Sequence, residues 1–161
     1  MIDVMRILKS CNQAAPRSFN SVHLMIDEEL GELARAINRP ARCVEPPEAE
    51  CVDLIICVVD MLKITGRLDK AMVPDLIPAF HPSKVDCKSP YDEFQSLKHA
   101  VARIRLEGWM EQYTAIYLAY YIAVAYLKNK NLSDDQIIQR MKDLVEKKCT
   151  KWDSQNVRTK A

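Results

Sequence analysis

Apolar residues fall at helical spacing over most of the 161-residue chain. Residues 2–10 alternate as a short amphipathic helix that gives out between Ser10 and Arg17. Pro16 breaks the chain there, and Ser18 or Asn20 suits a cap for the next helix, since a small polar side chain accepts a backbone N–H that the first turn leaves unpaired. From 20 to 38, Val22, Ile26, Leu30, Leu33 and Ile37 recur at steps of four, four, three and four. With ~3.6 residues per turn, that spacing draws one stripe along one helix face. Met25, Glu29, Glu32 and Ala36 form the adjacent row, so both glutamates stand at the edge of the buried face.

Asn38-Arg39-Pro40 ends this helix, and a loop runs on to Glu45-Pro46-Pro47. Proline in a first turn is compatible with a helix start, and Glu48 and Glu50 suit the positive N-terminal end. The following run, CVDLIICVVDML, is apolar nearly all round and predicts a largely buried helix. Asp53 and Asp60 lie two turns apart on it, on one face with Glu50 and Cys57, and Gly66 marks its end. Residues 66–90 carry Pro74, Pro78, Pro82 and Pro90 and read as an irregular connection with one short helical turn. Val73, Leu76, Ile77 and Phe80 make it too apolar for a free linker. Helical periodicity resumes at 91–106 and again in a Tyr-rich stretch, 109–128, whose tyrosines read as core rather than interface. Ser133-Asp134-Asp135 caps a last helix to about Trp152, ahead of a polar, basic tail. The segment from Glu111 to Ser133 weakly echoes the one from Glu48 to Asp69, a buried run with a polar exit, without its acidic pairs.

The expectation is an all-α bundle of about five to six helices forming a single domain, 1–161. It divides into a first half (1–66), a Pro-containing connection (67–90) and a second helical half (91–161). Composition agrees: only three glycines occur, and 48% apolar with 28% charged residues is usual for a globular protein. A net charge of +1 offers no field to attract a nucleic acid polymer or a membrane surface. The N-terminal apolar stretch is too short for a signal peptide, and Cys51–Leu62 is too short to span a bilayer, so a cytoplasmic location is expected. The six cysteines form no CxxC pair and read as reduced, small apolar residues.

The chemistry lies in two acidic pairs, Glu29-x-x-Glu32 and Glu50-x-x-Asp53. Side chains at i and i+3 share a helix face, so two packed helices would aim four carboxylates at one spot. Carboxylates repel and lose hydration when buried, which calls for a cation, and carboxylate-only ligation suits Mg2+ or Mn2+. Pairs of carboxylates at i and i+3 are common on solvated helices, and Glu28 and Asp143-x-x-Glu146 read that way. Asp53 differs, because burying an unpaired aspartate in an apolar run costs several kcal/mol. Arg35, Lys63 and Arg67 are the basic residues nearby in sequence, and none has a spacing that would neutralise both pairs. Asp60 either extends the acidic row or satisfies a helix contact.

Glu28-Glu29-Leu30-Gly31-Glu32 followed by Glu50-Cys51-Val52-Asp53 resembles the EExxE…ExxD signature of the MazG-like all-alpha nucleoside triphosphate pyrophosphohydrolases. The similarity covers residues 18–70 and extends loosely to the last helix. It implies Mg2+ ligation by Glu29, Glu32, Glu50 and Asp53, with a water-orienting role for Glu28. It also implies hydrolysis of a nucleoside triphosphate between its alpha and beta phosphates, with Lys148, Lys151, Asn156 and Arg158 holding the outer phosphates. Members commonly pair subunits to complete a four-helix core, so a homo-oligomer, dimer or tetramer, is expected unless the second half supplies that partner internally.

Rival chemistries lack their residues. A di-iron bundle needs Glu-x-x-His, and His23, His81 and His99 do not fit that spacing. No glycine-rich phosphate loop and no nucleophile elbow occurs. The remaining alternative is a non-enzymatic helical module that keeps an acidic site. The nucleotide base is not legible in the sequence.

Overall fold

The computed structural model describes residues 2–68, 81–85, 89–107 and 109–158; side chains are described for all of these except 105–107, 109 and 156–158. Among them are six α-helices and no strands: α1 (Val4–Gln13), α2 (Phe19–Asn38), α3 (Pro47–Ile64), α4 (Pro90–Glu107), α5 (Trp109–Lys128) and α6 (Asp134–Arg158). Short 3-10 turns lie at Pro40–Arg42 and Pro82–Lys84. The second is the helical turn expected within the Pro-containing connection, whose residues 69–80 and 86–88 lie outside the described residues.

Local chemistry sets the helix ends. The Asp3 carboxylate accepts from the Arg6 N–H at 2.9 Å to open α1, and Ser18 Oγ accepts from the Ser21 N–H at 3.1 Å to open α2. Pro47 begins α3, where its missing N–H costs nothing. At the other end Gly66 takes φ +67°, which lets the Arg67 N–H reach the Leu62 carbonyl at 2.9 Å. Ser133 and Gln136 open α6 reciprocally: Ser133 Oγ accepts from the Gln136 N–H, and Gln136 Oε1 accepts from the Ser133 N–H. This helix continues past Trp152 to Arg158, because residues 153–158 hold no glycine or proline to stop it.

α2 and α3 form one helical hairpin and α4 and α5 a second. α3 packs on α5, so the core joins both hairpins, while α1 and α6 pack together and close over α3. The α2 stripe turns inward as expected, with Val22, Ile26 and Leu33 fully buried and Leu30 and Ile37 half-buried. α3 is enclosed on nearly all sides, which explains its lack of a polar face. Tyr113, Tyr120 and Tyr121 are core residues; Tyr117 faces outward. Cys11, Cys43, Cys51, Cys57 and Cys149 are free thiols. No described helix is long and apolar enough to cross a membrane.

Candidate metal centre

α2 contributes Glu29 and Glu32, one turn apart on the row beside its buried stripe, and the first turns of α3 contribute Glu50 and Asp53. Packing of the hairpin brings the two pairs together. Carboxylate oxygens of Glu29, Glu32 and Glu50 lie within 4.8 Å of one another, and so do those of Glu45, Glu50 and Asp53. Glu50 belongs to both groups, so five carboxylates form one continuous cluster. Glu45 has no role in the sequence reading. It stands in the loop before α3, and only its position ahead of Pro46-Pro47 hinted that it would be carried to the helix entrance.

Acidic groups on open surfaces are commonplace, but this one is partly withdrawn from water. Glu50 is 6% exposed, and Glu29, Glu32, Glu45 and Asp53 are half-buried. Burial, with the neighbouring charges of Asp53, Glu32 and Glu50, pushes the Glu29 carboxyl up to about 8. Burial also pushes Glu50 up to about 7, against the opposing pull of Lys148. Asp53 is raised as well, burial outweighing its bond to the same lysine. For Glu45 the balance reverses: burial works upward, yet the Lys148 ammonium holds it below the usual carboxylate range.

Lys148 is a basic partner that the sequence neighbourhood of the acids does not contain. From the middle of α6 it donates to both Asp53 and Glu45, and its side chain is buried. Burial lowers its affinity for a proton, but the two carboxylates outweigh that and hold it above its ordinary range. Arg35 bonds Glu32 at 3.1 Å, so each pair does have a basic partner. One comes from within α2. The other comes from a helix 95 residues away in sequence, which local spacing cannot reveal.

A cleft of about 210 Å3 opens over the cluster, lined by Glu29, Glu32, Glu45 and Asp53 and by Met25, Ile56, Lys151, Trp152 and Gln155. Lys148 and Lys151 therefore do meet the acids, Lys148 already bound to two of them. Glu28 is exposed and outside the cluster, one position off the inward row of α2. Asn156 and Arg158 continue α6, and their side chains lie outside the described residues. Asp60 does not extend the row. It is buried, and its Oδ2 lies 2.9 Å from Nη2 of Arg17, whose guanidinium covers the Trp152 ring at 4.5 Å. His23 pairs with Asp27 at 3.3 Å and stacks on Phe19, away from the described acidic groups.

A divalent cation fits this donor set. Five hard oxygen donors surround one bonded ammonium, and two carboxyls, Glu29 and Glu50, carry raised proton affinities that a cation would relieve. Comparison of the chain with protein-family models, characterised proteins and solved structures finds no match.

Proposed function

We propose that this chain is a Mg2+-dependent nucleoside triphosphate pyrophosphohydrolase, with Mn2+ as a substitute ion. The observation that carries the proposal is the convergence of Glu29, Glu32, Glu50 and Asp53 from two packed helices at a site partly withdrawn from water. Such a cluster is costly to keep without a cation to fill it. The resemblance of Glu28 through Asp53 to the triphosphate-hydrolysing signature names the substrate class.

Glu29, Glu32, Glu50 and Asp53 would hold the ion, with Glu45 beside them. A bound divalent ion would supply charge stabilisation for the departing pyrophosphate and lower the pKa of the attacking water. Water adds to the alpha phosphorus, the bond to the bridging oxygen of the beta phosphate breaks, and a monophosphate and pyrophosphate leave. A carboxylate of the cluster left free of the ion would take the water's proton. Lys151 lines the cleft as a cation for a phosphate oxygen. The α4–α5 hairpin packs on α3 within the same chain, where the resembling family places a second subunit. A homo-oligomer would then use an outer face rather than complete the core.

A second reading has its own observation. Lys148 bonds Asp53 and Glu45 directly, so part of the acidic charge is balanced without any ion. A non-enzymatic helical module would keep that pairing permanently. Melting curves separate the two. Mg2+ with a non-hydrolysable triphosphate raises the melting temperature of the hydrolase by mass action and leaves the module unchanged, and Glu29→Gln abolishes the rise.

A further inference from the structure

A second, larger cleft at the acidic cluster is lined by no described residue of α6. It measures about 660 Å3 and shares Glu32 and Glu50 with the cluster. Much of its remaining wall is the C-terminal end of α2 and the 3-10 turn after it, which present Arg35, Arg39 and Arg42. Arg35 is tied to Glu32, whereas Arg39 and Arg42 are exposed and form no ion pair among the described residues. A cation in a last helical turn is favoured by the helix dipole whatever its role, which accounts for Arg35. It does not account for Arg42, which stands beyond the end of the helix.

Three arginines and two carboxylates lining one cleft match a polyanion that travels with a divalent cation. Planar guanidinium groups engage phosphate oxygens two at a time, and a pyrophosphate group presents two adjacent sets of them. The smaller cleft has the complementary character. Lys148 is committed to Asp53 and Glu45, and Met25, Ile56 and the Trp152 ring supply an apolar wall suited to a flat base.

We propose that the Arg35–Arg39–Arg42 cleft takes the pyrophosphate end of the substrate, so that a nucleoside triphosphate lies across the acidic cluster with its base on the Trp152 side. The orientation rests on the hydrolase reading above; the anion site itself does not. This moves the outer phosphates away from the α6 lysines, leaving Lys151 near the alpha phosphate.

Calorimetric titration of inorganic pyrophosphate with Mg2+ into the full-length protein, without turnover, tests the site. Arg39→Ala/Arg42→Ala alters two exposed side chains, and circular dichroism checks its fold. Losing charge-assisted phosphate contacts should weaken pyrophosphate binding about tenfold or more. Binding of a nucleoside monophosphate should stay within about twofold of wild type, since it lacks the outer phosphates. Arg39→Lys/Arg42→Lys should recover only part of the loss. Pyrophosphate binding that is absent in wild type, or unchanged in the double alanine variant, overturns the site. So does an equal loss for pyrophosphate and monophosphate. Arginine-dependent pyrophosphate binding by a protein that hydrolyses no triphosphate upholds the anion site and removes the hydrolase reading. Hydrolysis with a KM indifferent to both arginines does the reverse.

Discussion

Lys148 and Asp53, 95 residues apart in sequence, share a hydrogen-bonded ion pair at the mouth of the acidic cluster. The lysine is buried and bridges to Glu45 as well, so α6 is clamped to the entrance of α3 by charge. Removing one member of such a set leaves the others uncompensated. Lys148→Met should destabilise the metal-free protein by about 3 kcal/mol. Added Mg2+ should recover much of that, giving the variant a larger metal-induced rise in melting temperature than wild type. Urea unfolding with and without Mg2+ measures both, and a variant as stable as wild type without metal would remove the clamp.

Stability of the metal-free protein should depend on pH in the direction opposite to ordinary salt-bridged carboxylates. Glu29 titrates near 4.5 in the unfolded chain and about 8 in the folded one, so between those values the folded state holds the extra proton. Its contribution is therefore fully present below about pH 4.5 and lost as pH rises through 8. Glu50, raised to about 7, adds to the same slope. Glu45 is held low and works the other way, so the informative quantity is a difference. Relative to Glu29→Gln, wild type should lose melting temperature steadily from pH 5 to 8, and Mg2+ should flatten the loss. Parallel curves for the two proteins would contradict the raised affinity of Glu29.

Much of the fold was legible in the sequence because its signals are local. The Val22–Ile26–Leu33 stripe, the Ser18 cap and the all-round apolar run of α3 each act within a few turns of helix, and the acidic pairs are legible for the same reason. Lys148 and Glu45, 103 residues apart, meet only through the packing of α6 on the α2–α3 hairpin, and no spacing rule encodes that. Asp60 shows the same limit. Its partner Arg17 sits in the loop before α2, in a stretch that carries no periodicity of its own. The apolar pattern stops near Trp152, six residues before α6 ends at Arg158, because the last turns are polar and a helix without an apolar stripe leaves no trace in the pattern.

The Arg17–Asp60 pair yields its own prediction. Asp60 is 1% exposed and Arg17 stands over it while stacking on Trp152. Arg17→Met strands a buried carboxylate and should cost about 3 kcal/mol. Asp60→Asn in the same chain should restore part of the loss, since no uncompensated charge remains. Unfolding of both single variants and the double measures the coupling; additive effects would show that the pair does not interact.

Pyrophosphate release from a panel of canonical, deoxy and modified nucleoside triphosphates tests the central claim most directly, comparing wild type with Glu32→Gln at equal Mg2+. Glu32 is only partly buried, so the amide should leave the fold intact while removing a charge from the cluster. The account predicts Mg2+-dependent release from at least one triphosphate, with Mn2+ able to substitute, and a loss of about a hundredfold or more in Glu32→Gln. Release that survives Glu32→Gln undiminished, or that proceeds in a metal chelator, would contradict the metal assignment, and no release from any triphosphate would leave Lys148 as the cluster's permanent cation.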